Sequence, residues 1–188
     1  VFRGSYTHNR GDVAIKQIQG VLGADAAKEL QEEAAVMANL NSDYIVRLFG
    51  LCWERQKYAI VMELMPNASL YDLLHNGQEL PWKIRYSIAQ DIAYGLRLLH
   101  ARQILHRDLK SLNVLLDDRL RAKLSDFGLA KVKAQSNSTS KAVSSVGTTA
   151  WMAPELFSLT PKYSKASDIY AYAMTAWELA TRELPYSN

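Results

Sequence analysis

The chain has 188 residues, of which 48% are hydrophobic and 22% are charged, and this composition is typical of one globular domain with a sizeable core. Its formal net charge of +3 is mild and no dense block of Lys and Arg is present, so the sequence does not predict nucleic-acid binding. A single cysteine, Cys52, excludes an internal disulfide framework, and no apolar run approaches the roughly 20 residues that insert across a membrane.

Residue patterns divide residues 1–64 into four predicted strands and one predicted helix. Residues 1–18 alternate apolar and polar side chains around the turn formers THNRGD, which predicts two strands. Residues 25–40 are rich in Ala, Leu, Glu and Met and contain neither Gly nor Pro, which predicts a helix. IVRLFGLCW (45–53) and KYAIVMEL (57–64) predict two further strands.

The pattern becomes mainly helical after MPNAS, whose Pro and Asn interrupt the strands. SLYDLLHN predicts a short helix, and PWKIRYSIAQDIAYGLRLLHARQ predicts a long one with a single apolar stripe. NVLLD and AKLSD predict a hairpin, residues 131–149 predict a loop, and residues 164–184 predict a very apolar helix. The change at Met65–Ser69 therefore predicts a hinge between two lobes.

Sequence motifs in the second part of the chain point to one chemistry. They are HRDLKSLN at 106–113, SDFG at 125–128 and APE at 153–155, and VAIK precedes them at 13–16. In this order and at this spacing they resemble the signature set of eukaryotic protein kinases, and the resemblance extends along the whole chain.

The resemblance implies an α+β, bilobal protein-kinase-like fold. Residues 1–64 would form a small β-rich N-lobe with one long helix, and residues 65–188 a larger, mainly helical C-lobe. Kinases carry a glycine-rich loop before the valine that Val1 resembles, and they continue for several helices beyond ELPYSN. We therefore expect a partial kinase domain that is truncated at both ends, and we expect this piece to be inactive alone.

Phosphate binding is expected to begin with a lysine on the second strand. Alone, such a lysine would read as a solvated surface residue, but in VAIK Lys16 resembles the lysine that holds the α- and β-phosphates. Glu29, Glu32 and Glu33 are the carboxylates that the first helix offers to fix it. Glu33 fits best because Met37, one turn later, would face the core. Glu29 and Glu32 read as a solvated face.

The two central motifs supply the expected catalytic groups. Phosphoryl transfer asks for positioning and for cations that neutralise phosphate charge. By resemblance, Asp108 is the catalytic base that accepts the proton of the substrate hydroxyl, and Lys110 contacts the γ-phosphate. Asn113 and Asp126 would supply oxygen ligands to Mg²⁺, a hard cation that binds beside phosphate oxygens.

The resemblance also implies an adenine pocket around YAIVMELMPNASL. Met62 would close the back of the pocket, and the backbones of Glu63 and Met65 would read adenine. Ser69 is expected near the ribose, with a helix N-cap as an equally good alternative. The full set expected to surround ATP is Val1, Ala14, Lys16, Met62, Glu63, Met65, Ser69, Leu115 and Asp126.

The expected substrate hydroxyl is that of Ser or Thr. Lys110 in HRDLKSLN is typical of serine/threonine kinases, and Thr148 in GTTAWMAPE resembles the threonine that bridges the catalytic Asp and Lys of those enzymes. The same stretches are most similar to the tyrosine-kinase-like group, which includes Raf, mixed-lineage and receptor-interacting kinases.

A regulatory phosphate is expected in the segment between Asp126 and Glu155. Arg107 precedes the catalytic Asp and Lys131 follows DFG, so the two cations would repel each other until an anion arrives. A phosphate there would gain charge-assisted hydrogen bonds and order the segment. We expect Ser144, three residues before Gly147, to be the main site of phosphorylation.

The resemblance implies an ATP- and Mg²⁺-dependent kinase that phosphorylates protein substrates in signalling. The alternative is a pseudokinase or scaffold that binds partners without catalysis. Such proteins typically lose at least one of Lys16, Asp108, Asn113 and Asp126, all of which are present here. A cytoplasmic location is expected, although segments outside this chain could tether the parent protein to a membrane. Whether the protein forms a regulatory dimer is left open.

Overall fold

A four-stranded antiparallel sheet and one helix form the first part of the chain. The computed structural model describes residues 1–6, 11–18, 23–54, 57–127 and 149–187. The elements of the first part are β1 (Phe2–Tyr6), β2 (Gly11–Ile18), α1 (Ala24–Ala38), β3 (Leu48–Glu54) and β4 (Lys57–Glu63). The sheet order is β1-β2-β4-β3, so β2, which carries Lys16, is paired on both sides.

The helix α1 packs against β3 along one apolar face. Ala27, Leu30, Ala34 and Met37 are all buried, and their spacing of three and four residues places them on one side of a helix. The intervening Glu32 and Val36 are exposed. The predicted helix is thus confirmed, and its buried face covers the sheet.

The second part of the chain is mainly helical, with one small hairpin. Its regular elements are α2 (Leu70–His75), α3 (Trp82–Ala101), β5 (Val114–Leu116), β6 (Ala122–Leu124) and α4 (Lys165–Thr181). Short 3₁₀ helices occupy Ser111–Asn113, Thr149–Trp151 and Pro154–Phe157. None of the helices in the described ranges could span a lipid bilayer.

The long helix α3 lies at the centre of the packing in this second part. Its stripe of Ile88, Ile92, Leu96 and Leu99 is buried, and α3 packs on both β6 and α4. Gly95 makes the close approach to the hairpin possible, because a Cβ at this position would lie 2.8 Å from Cδ1 of Leu124. The predicted apolar stripe therefore fixes the hairpin that precedes the SDFG motif.

The predicted strands and helices are confirmed, with two corrections, while the predicted loop at 131–149 lies outside the described residues except for its last residue. The last helix ends at Thr181 rather than at residue 184, because Arg182 adopts a left-handed conformation with φ of 64°.

The third strand begins at Leu48 rather than at Ile45. Ile45 instead forms an isolated bridge to Leu124, and the amide of Val46 donates to the Leu124 carbonyl at 2.9 Å. This segment therefore joins the hairpin of the second part before the chain enters the sheet. The α+β class is confirmed, and the lobe boundary at residues 64 and 65 remains our proposal.

Candidate active site

A buried carboxylate on α4 fixes the beginning of the HRDLKSLN loop. Asp168 is 2% exposed and accepts hydrogen bonds from the backbone amides of His106 at 2.8 Å and Arg107 at 2.9 Å. Nε2 of His100 lies 2.8 Å from the same carboxylate. The backbone just before Asp108 is therefore held by α3 and α4 together.

The loop residues converge on the carboxylate of Asp108. Nζ of Lys110 lies 3.1 Å from Oδ1 of Asp108, and the side-chain amide of Asn113 donates to Oδ2 at 3.0 Å. The same amide donates to the Asp108 carbonyl at 2.6 Å. These contacts hold the carboxylate in one orientation, in which it can accept a hydrogen bond from an incoming alcohol.

A second carboxylate joins the sheet to the hairpin. Asp126, two residues after the end of β6, forms an ion pair with Lys16 of β2, and both side chains are largely buried. Asp126 and Arg107 have positive φ angles of 59° and 67°, a left-handed conformation that costs a non-glycine residue about 1 kcal/mol or more. Such strain often occurs at functional sites. Phe127 then packs edge-on against His106, with ring centroids 6.2 Å apart.

Lys16 and Asp126 border an open cleft of about 490 Å³ between the sheet and the hairpin. All of the residues predicted to surround a nucleotide line it: Val1, Ala14, Lys16, Met62, Glu63, Met65, Ser69, Leu115 and Asp126. The sequence did not predict the rest of the lining, which is Leu64, Ala68, Asp72, Leu112 and Ser125. The volume lies in the range of ordinary small-molecule sites. The individual roles of these residues stay predictions.

The contacts of two cleft residues, Ser69 and Glu63, make their predicted roles more specific. Ser69 caps α2, since its hydroxyl accepts from the Asp72 amide at 3.2 Å while Asp72 accepts from the Ser69 amide at 3.1 Å. The N-cap alternative for Ser69 is thus confirmed, and its contact with a ribose stays a prediction for a residue that lines the cleft. The carboxylate of Glu63 accepts from the Arg47 amide at 3.1 Å and lies 2.7 Å from Nζ of Lys123. Its side chain is thus occupied, and its backbone amide donates to the Arg47 carbonyl at 2.9 Å, so the predicted contact with adenine falls to the backbone carbonyl of Glu63.

The donor set beside the cleft fits a small hard cation. The amide nitrogen of Asn113 is committed to Asp108, which leaves its oxygen, together with the carboxylate of Asp126, as ligand atoms. Within the described ranges, no group of three or more His, Cys, Asp and Glu residues could enclose a metal. A site with one carboxylate and one amide oxygen suits Mg²⁺, which takes its remaining ligands from phosphate and water.

Part of the predicted site lies outside the described residues. Lys131, Ser144 and Thr148 fall there, and so does the side chain of Glu33, whose backbone belongs to α1. Within the described ranges, the Nε atom of Arg107 is buried without a hydrogen-bond partner. The regulatory roles of Arg107, Lys131 and Ser144 stay predictions.

The sequence did not predict a second buried carboxylate on α4. Glu178 is 0% exposed; its Oε1 accepts from the Ser111 hydroxyl at 2.7 Å and its Oε2 from the Trp151 indole at 3.2 Å. Nε2 of His75 lies 3.3 Å from Oε1. A lone Glu in the apolar run AYAMTAWELA was the signal that could have found it, because an acidic residue rarely occupies such a helix without partners.

Glu178 should make the stability of the fold depend on pH. Burial raises the pKa of Glu178, and hydrogen bonds from its neighbours offset this only in part. Because the folded state then binds the proton more tightly than the unfolded state, the free energy of unfolding falls as the pH rises from the ordinary Glu pKa through the raised value. We expect Glu178→Gln to remove this contribution.

Urea unfolding of the wild type and of Glu178→Gln between about pH 4 and pH 8 measures this effect. The stability of the wild type relative to the variant should decline with rising pH. A relative stability that is constant or that increases over this range would contradict the expected direction.

Comparisons with known proteins agree with this geometry. The family model described as protein tyrosine and serine/threonine kinase matches residues 1–188. The serine/threonine-protein kinase STY46 of Arabidopsis thaliana is 37% identical over 189 residues, which cover 99% of this chain and 32% of the relative. The serine/threonine-protein kinase CTR1 of the same plant is 39% identical, over 94% of this chain and 22% of the relative.

A third relative comes from an amoeba. The probable serine/threonine-protein kinase drkC of Dictyostelium discoideum is 40% identical over 167 residues, which cover 87% of this chain and 22% of the relative. The chain thus spans between about a fifth and a third of the length of these relatives. The family match over all residues and the motif geometry lead to one conclusion: this chain belongs to the protein tyrosine and serine/threonine kinase family.

Proposed function

We propose that this chain is the catalytic part of a protein kinase that transfers the γ-phosphate of ATP to serine or threonine hydroxyls of proteins, with Mg²⁺ as cofactor. The observation that supports this best is that two groups of side chains lie next to each other at one cleft. The Lys16–Asp126 ion pair lines the cleft. The cluster of Asp108, Lys110 and Asn113 adjoins it, because the Asn113 carbonyl accepts at 2.9 Å from the backbone amide of Ser125, which also lines the cleft.

The proposed reaction is an in-line displacement at the γ-phosphorus. The substrate oxygen forms a bond to phosphorus, the bond to the bridging oxygen of ADP breaks, and Asp108 accepts the hydroxyl proton. Lys110 stabilises the charge on the transferred group, and Lys16 stabilises the phosphates that remain with ADP. Mg²⁺ held by Asn113 and Asp126 would neutralise phosphate charge. The protein therefore contributes mainly position and electrostatics.

The choice of Ser and Thr over Tyr rests on the sequence and on the relatives. Lys110 stands at the position typical of serine/threonine kinases, and the relatives reported above carry that activity in their names. The same reasoning supports membership of the tyrosine-kinase-like group. A pseudokinase or scaffold is less well supported, because the four diagnostic residues Lys16, Asp108, Asn113 and Asp126 are all present and form two interacting pairs, Lys16 with Asp126 and Asp108 with Asn113.

The remaining expectations stay part of the proposal. Phosphorylation of Ser144 would regulate the enzyme by adding a phosphate that can pair with Arg107 and Lys131. The single cysteine, Cys52, supports a cytoplasmic location, because disulfide-free proteins suit a reducing compartment. Whether a regulatory dimer forms is left open.

A γ-phosphate transfer assay on the full-length protein tests the proposal. Wild-type protein and Asp108→Asn are compared with peptide substrates that differ only in carrying Ser, Thr or Tyr as the acceptor. We expect Asp108→Asn to lower kcat at least about 10²-fold, because the amide cannot accept the hydroxyl proton. Equal transfer by both proteins would overturn the catalytic proposal, and preferred transfer to Tyr would overturn the proposed specificity.

A further inference from the structure

The stability of the fold does not by itself explain why a carboxylate, that of Glu178, is fully buried in α4. Enclosing a carboxylate in a protein interior is unfavourable unless donors satisfy it, and apolar side chains of similar volume often serve stability as well or better. Its neighbours on α4, Ala171 and Leu179, are buried and apolar. Stability alone therefore does not explain a fully buried Glu at this position, and the explanation must lie in what it contacts.

The first contact of Glu178 is with the turn that carries Lys110 and Asn113. Ser111 is fully buried and directly follows Lys110 in the sequence. The backbone amide of Asn113 donates to the Lys110 carbonyl at 2.9 Å and so closes the turn. The Ser111 hydroxyl, bonded to Glu178, is thus inside the turn whose two ends present Lys110 and Asn113. A shift of Ser111 would move both of these side chains relative to Asp108.

Helix α4 therefore holds the catalytic loop at both ends. Asp168 accepts the amides of His106 and Arg107 at the beginning of the loop, and Glu178 accepts the Ser111 hydroxyl near its end. The two carboxylates are ten residues apart on α4, which corresponds to about 15 Å along the helix axis. One rigid helix thus sets the distance between the two points of attachment.

The other contacts of Glu178 extend this support to two further elements. Trp151, bonded through its indole N–H, belongs to the segment before the APE motif and borders a small cavity together with Arg107 and Asp108. His75 is the last residue of α2, whose first turn lines the cleft. A single carboxylate thus connects the catalytic loop, the Trp151 segment and α2.

From these contacts we infer that Glu178 is a positioning residue for phosphoryl transfer, which acts through Ser111 and Trp151 to align Lys110 and Asn113 with the Trp151 segment. This inference rests on the proposed kinase function. Glu178 does not line the cleft, so its loss should leave nucleotide binding largely intact. A displacement of about 1 Å at reacting groups can lower a rate about 100-fold.

Two single variants and their combination test the role on the full-length protein. Ser111→Ala removes the donor, Glu178→Gln removes the charge of the acceptor, and the double variant completes the cycle. Glu183→Gln is the matched control, because it makes the same chemical change at an exposed position five residues further on. The measured quantities are kcat, the KM for ATP and the midpoint of thermal unfolding.

We expect each single variant to lower kcat by about 10- to 100-fold with the KM for ATP changed less than about twofold. The double variant should be slowed by less than the product of the two single effects, since both changes act on the Ser111–Glu178 hydrogen bond, which Ser111→Ala abolishes and Glu178→Gln weakens by removing the charge of the acceptor. Glu183→Gln should match the wild type. If Glu178→Gln does not fold, Ser111→Ala decides the outcome, because it leaves the carboxylate in place.

Three results would overturn the inference: an unchanged kcat in Ser111→Ala, a change confined to the KM for ATP, or multiplying effects in the double variant. The Asp108→Asn comparison separates this failure from that of the proposed function. If the wild type transfers phosphate no faster than Asp108→Asn, the kinase proposal fails and the positioning role falls with it. If the wild type is active and Ser111→Ala matches it, the positioning role alone fails.

Discussion

Replacing Asp126 with Asn is expected to lower kcat for phosphoryl transfer by about 10⁴-fold. Asp126 is the carboxylate that pairs with Lys16 and the expected main ligand of Mg²⁺. The amide has the same shape but no charge, so it weakens the hold on the cation and on the lysine at once. Both losses bear on the charge that develops around the phosphates, which is why this effect should exceed that of other single changes in the cleft.

The kinetic measurement is kcat at saturating ATP over a titration of Mg²⁺, with ATP binding measured separately with and without the cation. The variant should bind ATP without Mg²⁺ as the wild type does, and it should lose the gain that Mg²⁺ provides. Asp118→Asn, an exposed position in the β5–β6 turn, is the matched control and should behave as the wild type. Full activity of Asp126→Asn at high Mg²⁺ would contradict the assigned ligand role.

The fold could be predicted wherever a pattern is local. The helix over 24–38 and the long helix α3 have apolar residues at helical spacing, and the strands alternate, so their sequences determine the type of element. The beginning of β3 could not be predicted in this way. Ile45 and Val46 look like the start of a strand, but they pair with Leu124, almost 80 residues further along the chain. The residues around Ile45 and Val46 carry no sequence pattern that would indicate pairing with a residue so distant in sequence.

The candidate active site likewise combines residues that a local motif predicts with residues that only long-range contacts reveal. Lys16, Asp108, Asn113 and Asp126 stand in motifs that resemble the kinase signature set, and the structure pairs Lys16 with Asp126 at the cleft and Asp108 with Asn113 beside it. Glu178 stands in no such motif. Its partners are separated from it by 27, 67 and 103 residues in sequence, so that only the packing of α4 against the loop and α2 reveals them.

A third buried carboxylate, Asp91 on α3, supports the hairpin that precedes Asp126. It is 2% exposed and accepts from Nε of Arg121 at 2.8 Å, from the second guanidinium nitrogen at 2.6 Å and from the amide of Ala122 at 3.0 Å. Asp91 also raises the pKa of Arg121, through the hydrogen bonds first and the charge second. The base of β6 is thus bound to α3 at three points.

We expect Asp91→Ala to lower the free energy of unfolding by about 2–3 kcal/mol. Arg121 is half exposed, so solvent screening limits the ion pair itself to about 1 kcal/mol. The larger part comes from the amide of Ala122, which would stay buried without an acceptor at a cost of about 1–3 kcal/mol. Asp91→Asn should lose less, because its amide oxygen can still accept that bond.

Urea and thermal unfolding of Asp91→Ala, Asp91→Asn and the exposed control Asp118→Ala distinguish these contributions. The expected midpoint shift for Asp91→Ala is about 5–10 °C, with the control within about 1 °C of the wild type. If Asp91→Ala unfolds like the control, the hydrogen bonds from Arg121 and Ala122 to Asp91 contribute nothing measurable to stability. If Asp91→Asn instead loses as much as Asp91→Ala, the charge of Asp91 outweighs the backbone bond. These hydrogen bonds matter for the proposed activity because β6 leads into Ser125 and Asp126, so loosening at Ala122 would displace the carboxylate that pairs with Lys16 and that we propose as a Mg²⁺ ligand.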